Sequence, residues 1–184
     1  MADLSSDSEV LVLVGRISAG KTTLANALTM EPVLARRISA RECLLAGVPE
    51  SEVSRGDLQR LGVEVDTRTE GMWLFDHASS LMDGPGRYVI DAARTERQAR
   101  PFLEQFASSR LLFVDAPEAL RRARYEQSAG QGGLRHTPDT HAVFSHPIER
   151  GVVALAEFAD AVVNTGVLGP EETAAVAREL MGWG

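Results

Sequence analysis

Glu9-Val10-Leu11-Val12-Leu13-Val14-Gly15-Arg16-Ile17-Ser18-Ala19-Gly20-Lys21-Thr22-Thr23 is the stretch that decides the fold. Its first six residues are a β-branched apolar run stopped by glycine, the pattern of a strand buried on both faces of a parallel sheet. From Lys21 the apolar positions fall at Leu24, Ala25, Ala27 and Leu28, one face of a helix that Pro32 closes. Between strand and helix, Gly15 to Thr22 fits G-x-x-x-x-G-K-[ST] at every fixed position. Gly15 and Gly20 permit dihedrals that let successive N–H groups turn inward, and those donors plus the positive end of the helix make an anion site. Ser18, Ala19, Gly20, Lys21, Thr22 and Thr23 then form the candidate triphosphate cradle. Lys21 supplies a compact charge for the β- and γ-phosphates of ATP, and Thr22 a hydroxyl for Mg²⁺. Of the 19 basic residues, 18 are Arg and the only Lys is Lys21, so a composition that uses Arg everywhere else keeps Lys at this one place.

Outward from the loop, apolar strands recur at Arg87–Asp91, Arg110–Asp115 and Asp160–Asn164, separated by helical patterns around 95–107, after Pro117 and from Asp139 through Phe158. Alternation of this kind predicts right-handed crossovers and a three-layer α/β P-loop fold with a parallel sheet. Residues 35–83 read as mostly helical, broken near 47–49 and at Gly71, and residues 1–8 as a disordered leader to a single domain spanning 9–184.

In such a sheet, ligands gather at the carboxyl ends of the strands. Asp91 and Arg94 end the second predicted strand, so Asp91 is a candidate metal-binding or proton-accepting carboxylate and Arg94 a phosphate clamp. Asp115 holds the same place on the next strand and leaves the magnesium assignment open between the two. Arg121 and Arg124 share a helix face and, with Arg135, bracket the loop Gly130–Gly133. That arrangement suggests a lid at 126–138 that brings positive charge over a transferring phosphoryl group. His77, His136, His141 and His146 lack the i, i+4 spacing of a helical zinc site.

Composition narrows the rest. A net charge of −7 over 184 residues disfavours nucleic acid as a partner, and the two tryptophans offer no stacking platform. The lone Cys43 can make no internal disulfide, which points to a reducing, cytoplasmic setting. The acidic opening is not a signal peptide, and no apolar run reaches membrane-spanning length.

GRISAGKTT, VIDAAR, FVDAPEALRRAR and ADAVVNTG, in this order, resemble segments of small P-loop kinases of the nucleotide kinase superfamily. The stretch Ser54 to Gly62 is similar to an S-R-x-x-L-Q-x-x-G segment of phage-type deoxynucleoside monophosphate kinases and their bacterial relatives. The resemblance implies a core sheet, an acceptor-binding helical insert at 35–83 and a short lid; the expected assembly, taken apart from it, is a monomer or homodimer. It assigns Arg55, Gln59, Asp91 and Arg94 to a small nucleotide or nucleoside-like acceptor, and Arg121 and Arg124 to the lid. Asp91-Ala92-Ala93-Arg94 departs from the D-G-x-R of those kinases, and Arg36, Arg37 and Arg41 stay unassigned. The expected reaction is transfer of the γ-phosphoryl group of ATP to a nucleoside monophosphate or deoxynucleotide. A hydroxyl acceptor and a non-catalytic nucleotide switch are the alternatives.

Overall fold

The computed structural model describes residues 7–45, 53–128 and 140–184. Most of the expected leader, the Gly130–Gly133 loop, Arg135 and His136 therefore lie outside the described residues. Five parallel strands form one sheet: β1 (Glu9–Val14), β2 (Arg36–Ser39), β3 (Arg87–Asp91), β4 (Ser108–Asp115) and β5 (Ala161–Asn164), in the order β2-β3-β1-β4-β5. The central strand β1 is flanked on both sides, which is why its sequence is almost wholly apolar rather than alternating.

Side chains of a strand alternate between faces, so β1 feeds two cores. Val10, Val12 and Val14 pack with Ile90, Leu111 and Phe113 against α4 (Met72–Leu81) and α5 (Glu96–Gln105). Leu11 and Leu13 pack with Val89, Leu112 and Val114 against α1 (Lys21–Leu28) and α9 (Pro170–Met181), which closes over buried Trp183. Helices thus cover both faces, as the alternation of strands and helices requires.

The segment read as a helical insert begins instead with a strand. Arg36-Arg37-Ile38-Ser39 is β2, an edge strand paired to β3 from Arg36↔Tyr88 to Ser39↔Asp91. With four residues and an exposed first position it offers too little apolar alternation to be recognised from sequence. Helices α2 (Ala40–Leu44) and α3 (Arg55–Thr69) follow it. A capping box starts α3: the Ser54 hydroxyl accepts from the Asp57 N–H, and the Asp57 carboxylate accepts from the Ser54 N–H at 2.9 Å.

The long helix expected from Asp139 is also broken. It divides into α7 (Thr140–Ser145), α8 (Pro147–Gly151) and a 3₁₀ turn at Val152–Glu157, because Pro147 lacks the N–H that would continue α7 and starts a new helix after the His146 cap. Pro117 caps α6 (Glu118–Gln127).

Candidate functional site

A cleft of about 680 Å³ opens at the carboxyl ends of β1 and β3, between the loop Ile17–Thr23, the helices after β2, and the start of α9. The loop is shaped by glycine where nothing else fits. Gly15 has φ +135°, and a Cβ there would stand 2.0 Å from the Val114 carbonyl oxygen. Gly20 caps α1 in the left-handed region, at φ 103°. Lys21 is buried, and its Nζ donates to the carbonyls of Gly15 at 2.9 Å and Arg16 at 2.6 Å, so the ammonium bridges the start of the loop.

Two tethers hold this loop from outside. On one side, the Thr165 hydroxyl donates to the Ala19 carbonyl at 2.7 Å and accepts from Arg124 Nη1 at 2.8 Å. Arg124 Nη2 also reaches the Thr165 carbonyl, at 3.0 Å. The loop, α6 and the turn after β5 are therefore joined through one threonine. On the other side, the Ile17 N–H donates to Glu149 Oε2 at 2.8 Å, while Glu149 Oε1 pairs with Arg94 Nη2. The Ile17 side chain packs with Tyr125 and Val143, adding an apolar contact to the same junction.

Across the cleft, Asp91 is buried at the end of β3. Its Oδ2 accepts from Arg37 Nε at 3.0 Å and Nη2 at 2.9 Å, while Oδ1 accepts no hydrogen bond among the described residues. Arg37 comes from β2, whose register places Ser39 beside Asp91. Behind Arg94 stands a second network. Gln98 Oε1 accepts from the Arg94 N–H at 2.7 Å, and Gln98 Nε2 donates to Asp66 at 2.6 Å. Asp66 also accepts from Trp73 Nε1 at 2.5 Å, which turns the indole into a wall of the cleft beside Leu44 and Leu58.

The cleft brings together Ser18, Ala19, Gly20, Lys21, Thr22, Thr23, Gln59, Asp91, Arg94 and Arg124. Gln59 is buried, with Nε2 donating to the Val143 carbonyl at 3.3 Å. Arg121 is not brought there. It is 3% exposed, donates from Nε to the Ala116 carbonyl at 3.0 Å and lies over the Phe144 ring. Burial, with Arg16 nearby, pushes its guanidinium below the ordinary arginine range. Asp115 turns toward Arg16 at 3.6 Å and Arg121 at 3.9 Å, so of the two strand-end carboxylates it is Asp91 that lines the cleft. Arg55 begins α3, but its side chain is outside the described residues. Among the described residues no cluster of His, Cys, Asp and Glu could cage a metal ion, and no helix is long and apolar enough to cross a membrane.

Arg37, Asp66, Glu149 and Thr165 organise the site and escaped the sequence reading. Arg37 was visible only as an unassigned arginine, and Thr165 had a positional signal, since it follows the last predicted strand where ligands collect.

No curated protein matches the chain in sequence. Solved structures match it across nearly its whole length. A sugar kinase from Janibacter sp. HTCC2649 is 17% identical, with a TM-score of 0.58 and 95% of each chain covered. Shikimate kinase from Acinetobacter baumannii, solved with shikimate, is 17% identical, with a TM-score of 0.60, covering 95% of this chain and 94% of its own. The Mycobacterium tuberculosis APS kinase, solved with AMPPNP and APS, is 15% identical, with a TM-score of 0.58, covering 96% of this chain and 99% of its own. The architecture is that of the P-loop kinases. The AAA domain family model matches residues 10–145, from β1 into α7, and the chain belongs to that family.

Proposed function

We propose that the protein is an ATP-dependent kinase of a small metabolite, transferring the γ-phosphoryl group to an acceptor hydroxyl. The observation that carries this reading is Asp91. It is a buried carboxylate at the end of β3, lining the same cleft as the phosphate loop, with Oδ2 fixed by Arg37 and Oδ1 left to meet a hydroxyl. A carboxylate so placed orients the acceptor oxygen and takes its proton as the P–O bond forms. The loop amides and Lys21 hold the polyphosphate in line, and Arg124 stands at the nucleotide side of the cleft. Leu44, Leu58 and Trp73 give the acceptor half an apolar wall for the body of the substrate.

The site also suits a magnesium ion. Thr22 on the first turn of α1 offers a hard oxygen donor to the cleft, and Asp91, with its Oδ1 turned to the acceptor, would reach the ion through a bound water, in keeping with Mg²⁺ holding several waters beside one or two protein groups and substrate phosphates. When bound, the ion supplies charge neutralisation at the phosphate oxygens. The kinases of similar fold include ones named for sugar, shikimate and gluconate, and one solved with APS.

A nucleoside monophosphate acceptor is the second reading, and Arg41 and Arg94 on the acceptor side favour it. Against it, Arg94 is already paired with buried Glu149. The test is ADP release from MgATP across a panel of polyols, hydroxy acids, sugars, nucleosides and nucleoside monophosphates. Acceptor-dependent ADP release is expected with a hydroxyl compound, and Asp91→Asn should reduce that turnover by about 100-fold or more. Release confined to monophosphates selects the second reading, and release indifferent to any acceptor removes both.

A further inference from the structure

From the Glu149 junction we infer that this residue is an internal counter-anion that fits the acceptor half to uncharged hydroxyl compounds and against phosphate groups. The inference rests on the hydroxyl-acceptor reading above. A phosphate entering between the loop and Arg94 would seek two donors, a main-chain N–H and a guanidinium. Glu149 already holds that N–H and one nitrogen of that guanidinium. Its Oε2 accepts from the Ile17 N–H at 2.8 Å, and its Oε1 pairs with Arg94 Nη2.

The carboxylate is 3% exposed while Arg94 keeps 22% of its side chain exposed, so a buried anion meets a cation at the cleft wall. Burying it without partners would be costly, and the two contacts together satisfy it. The backbone that carries the arginine is fixed in turn, since the Arg94 main-chain N–H donates to Gln98 Oε1 at 2.7 Å. Arg94 therefore lines the cleft with its charge balanced. Discrimination of this kind works through an occupied site: a phosphate must displace a buried carboxylate and leave it near a second anion, whereas a hydroxyl compound needs neither donor. Glu149 touches no reacting atom in this scheme, which makes it a specificity-determining residue rather than a catalytic one.

The experiment is a calorimetric titration of inorganic phosphate into protein saturated with MgAMPPNP, so that the loop's own anion site is filled. Glu149→Gln keeps shape and an acceptor for Ile17 but removes the charge. It should bind phosphate about tenfold more tightly than wild type, or better, and adding Arg94→Ala should cancel the gain. Equal phosphate affinity in wild type and Glu149→Gln, or a gain that survives Arg94→Ala, overturns the inference. The Arg94→Ala arm isolates this site whether or not nucleotide is bound, and failure of MgAMPPNP to bind wild type counts against the kinase reading itself. Should the buried substitution unfold the chain, NMR of wild type decides: added phosphate should leave the Ile17 amide and the Arg94 Nε resonances in place, and their movement refutes the proposal.

Discussion

Replacing Thr165 with valine tests whether the phosphate loop is held in its binding shape from outside. The Ala19–Gly20 peptide is planar and trans, so its carbonyl and its N–H point in opposite directions. By donating to the Ala19 carbonyl at 2.7 Å, the Thr165 hydroxyl fixes the orientation of the Gly20 N–H at the opposite edge of the same peptide plane. Valine keeps the volume, including the methyl that would lie 3.4 Å from a Cβ at Gly20, and removes only the hydroxyl. Two hydrogen bonds are lost, one neutral and one from the Arg124 guanidinium at 2.8 Å. A neutral bond contributes about 1 kcal/mol and a charge-assisted one about 1.5 kcal/mol or more. The second is discounted here, because Arg124 keeps its bond to the Thr165 carbonyl at 3.0 Å and is partly solvated. A total of about 2 kcal/mol results, divided between folding and binding. About 1 kcal/mol of it in folding lowers Tm by about 3 °C for a chain of this length. The remainder, expressed in binding, weakens MgAMPPNP by about five- to tenfold. Calorimetry and thermal denaturation read the two parts separately, with Thr165→Ser as the control that keeps the hydroxyl. Unchanged affinity and Tm in Thr165→Val, or equal losses in valine and serine variants, would show that the Thr165 hydroxyl does not hold the loop.

Gly15→Ala should be far more severe, because its Cβ would meet the Val114 carbonyl at 2.0 Å and must force β1 from β4; circular dichroism melting should show a drop on the order of 10 °C or no folded protein. The His146 imidazole is pushed below its ordinary range by burial, then by Arg94 and Arg150. Its folded-state pKa is thus depressed, so the stability linked to it is present above the unfolded value of about 6.5 and is lost as pH falls through the folded one. Arg94→Ala should move the His146 NMR titration midpoint upward, and a downward move would contradict that assignment. Burial, with Glu42 beside it, raises the Cys43 thiol to about 11. At pH 8 its thiolate population falls about 100-fold, partly offset by greater intrinsic nucleophilicity, so iodoacetamide should modify it about tenfold more slowly than a free cysteine, measured by mass spectrometry.

What the sequence carried was whatever depends on local pattern. The apolar run before Gly15 and the G-x-x-x-x-G-K-T spacing specify a strand, a turn and a helix without help from distant residues, and strand-end position alone brings Asp91 to the cleft. What it did not carry depends on pairing across the chain. β2 exists because Arg36–Ser39 finds the free edge of β3, a fact that four mostly polar residues cannot announce. Glu149 reaches the loop from 132 residues away, and Thr165 reaches Ala19 from 146 away. Arg121 and Arg124 share a helical face by spacing, but the structure separates them: one is buried against Ala116 and the other lines the cleft. Periodicity gives the face of a helix and not the neighbour it meets.

The proposed reaction moves a phosphoryl group from ATP at the loop to a hydroxyl beside Asp91. Phosphorus NMR of the protein with MgATP and each acceptor of the panel follows that group directly. Expected are loss of the γ-phosphate resonance, appearance of a phosphomonoester resonance in equal amount, and loss of both changes in Lys21→Ala. Formation of inorganic phosphate alone with every acceptor, or product formation that survives Lys21→Ala, would contradict it.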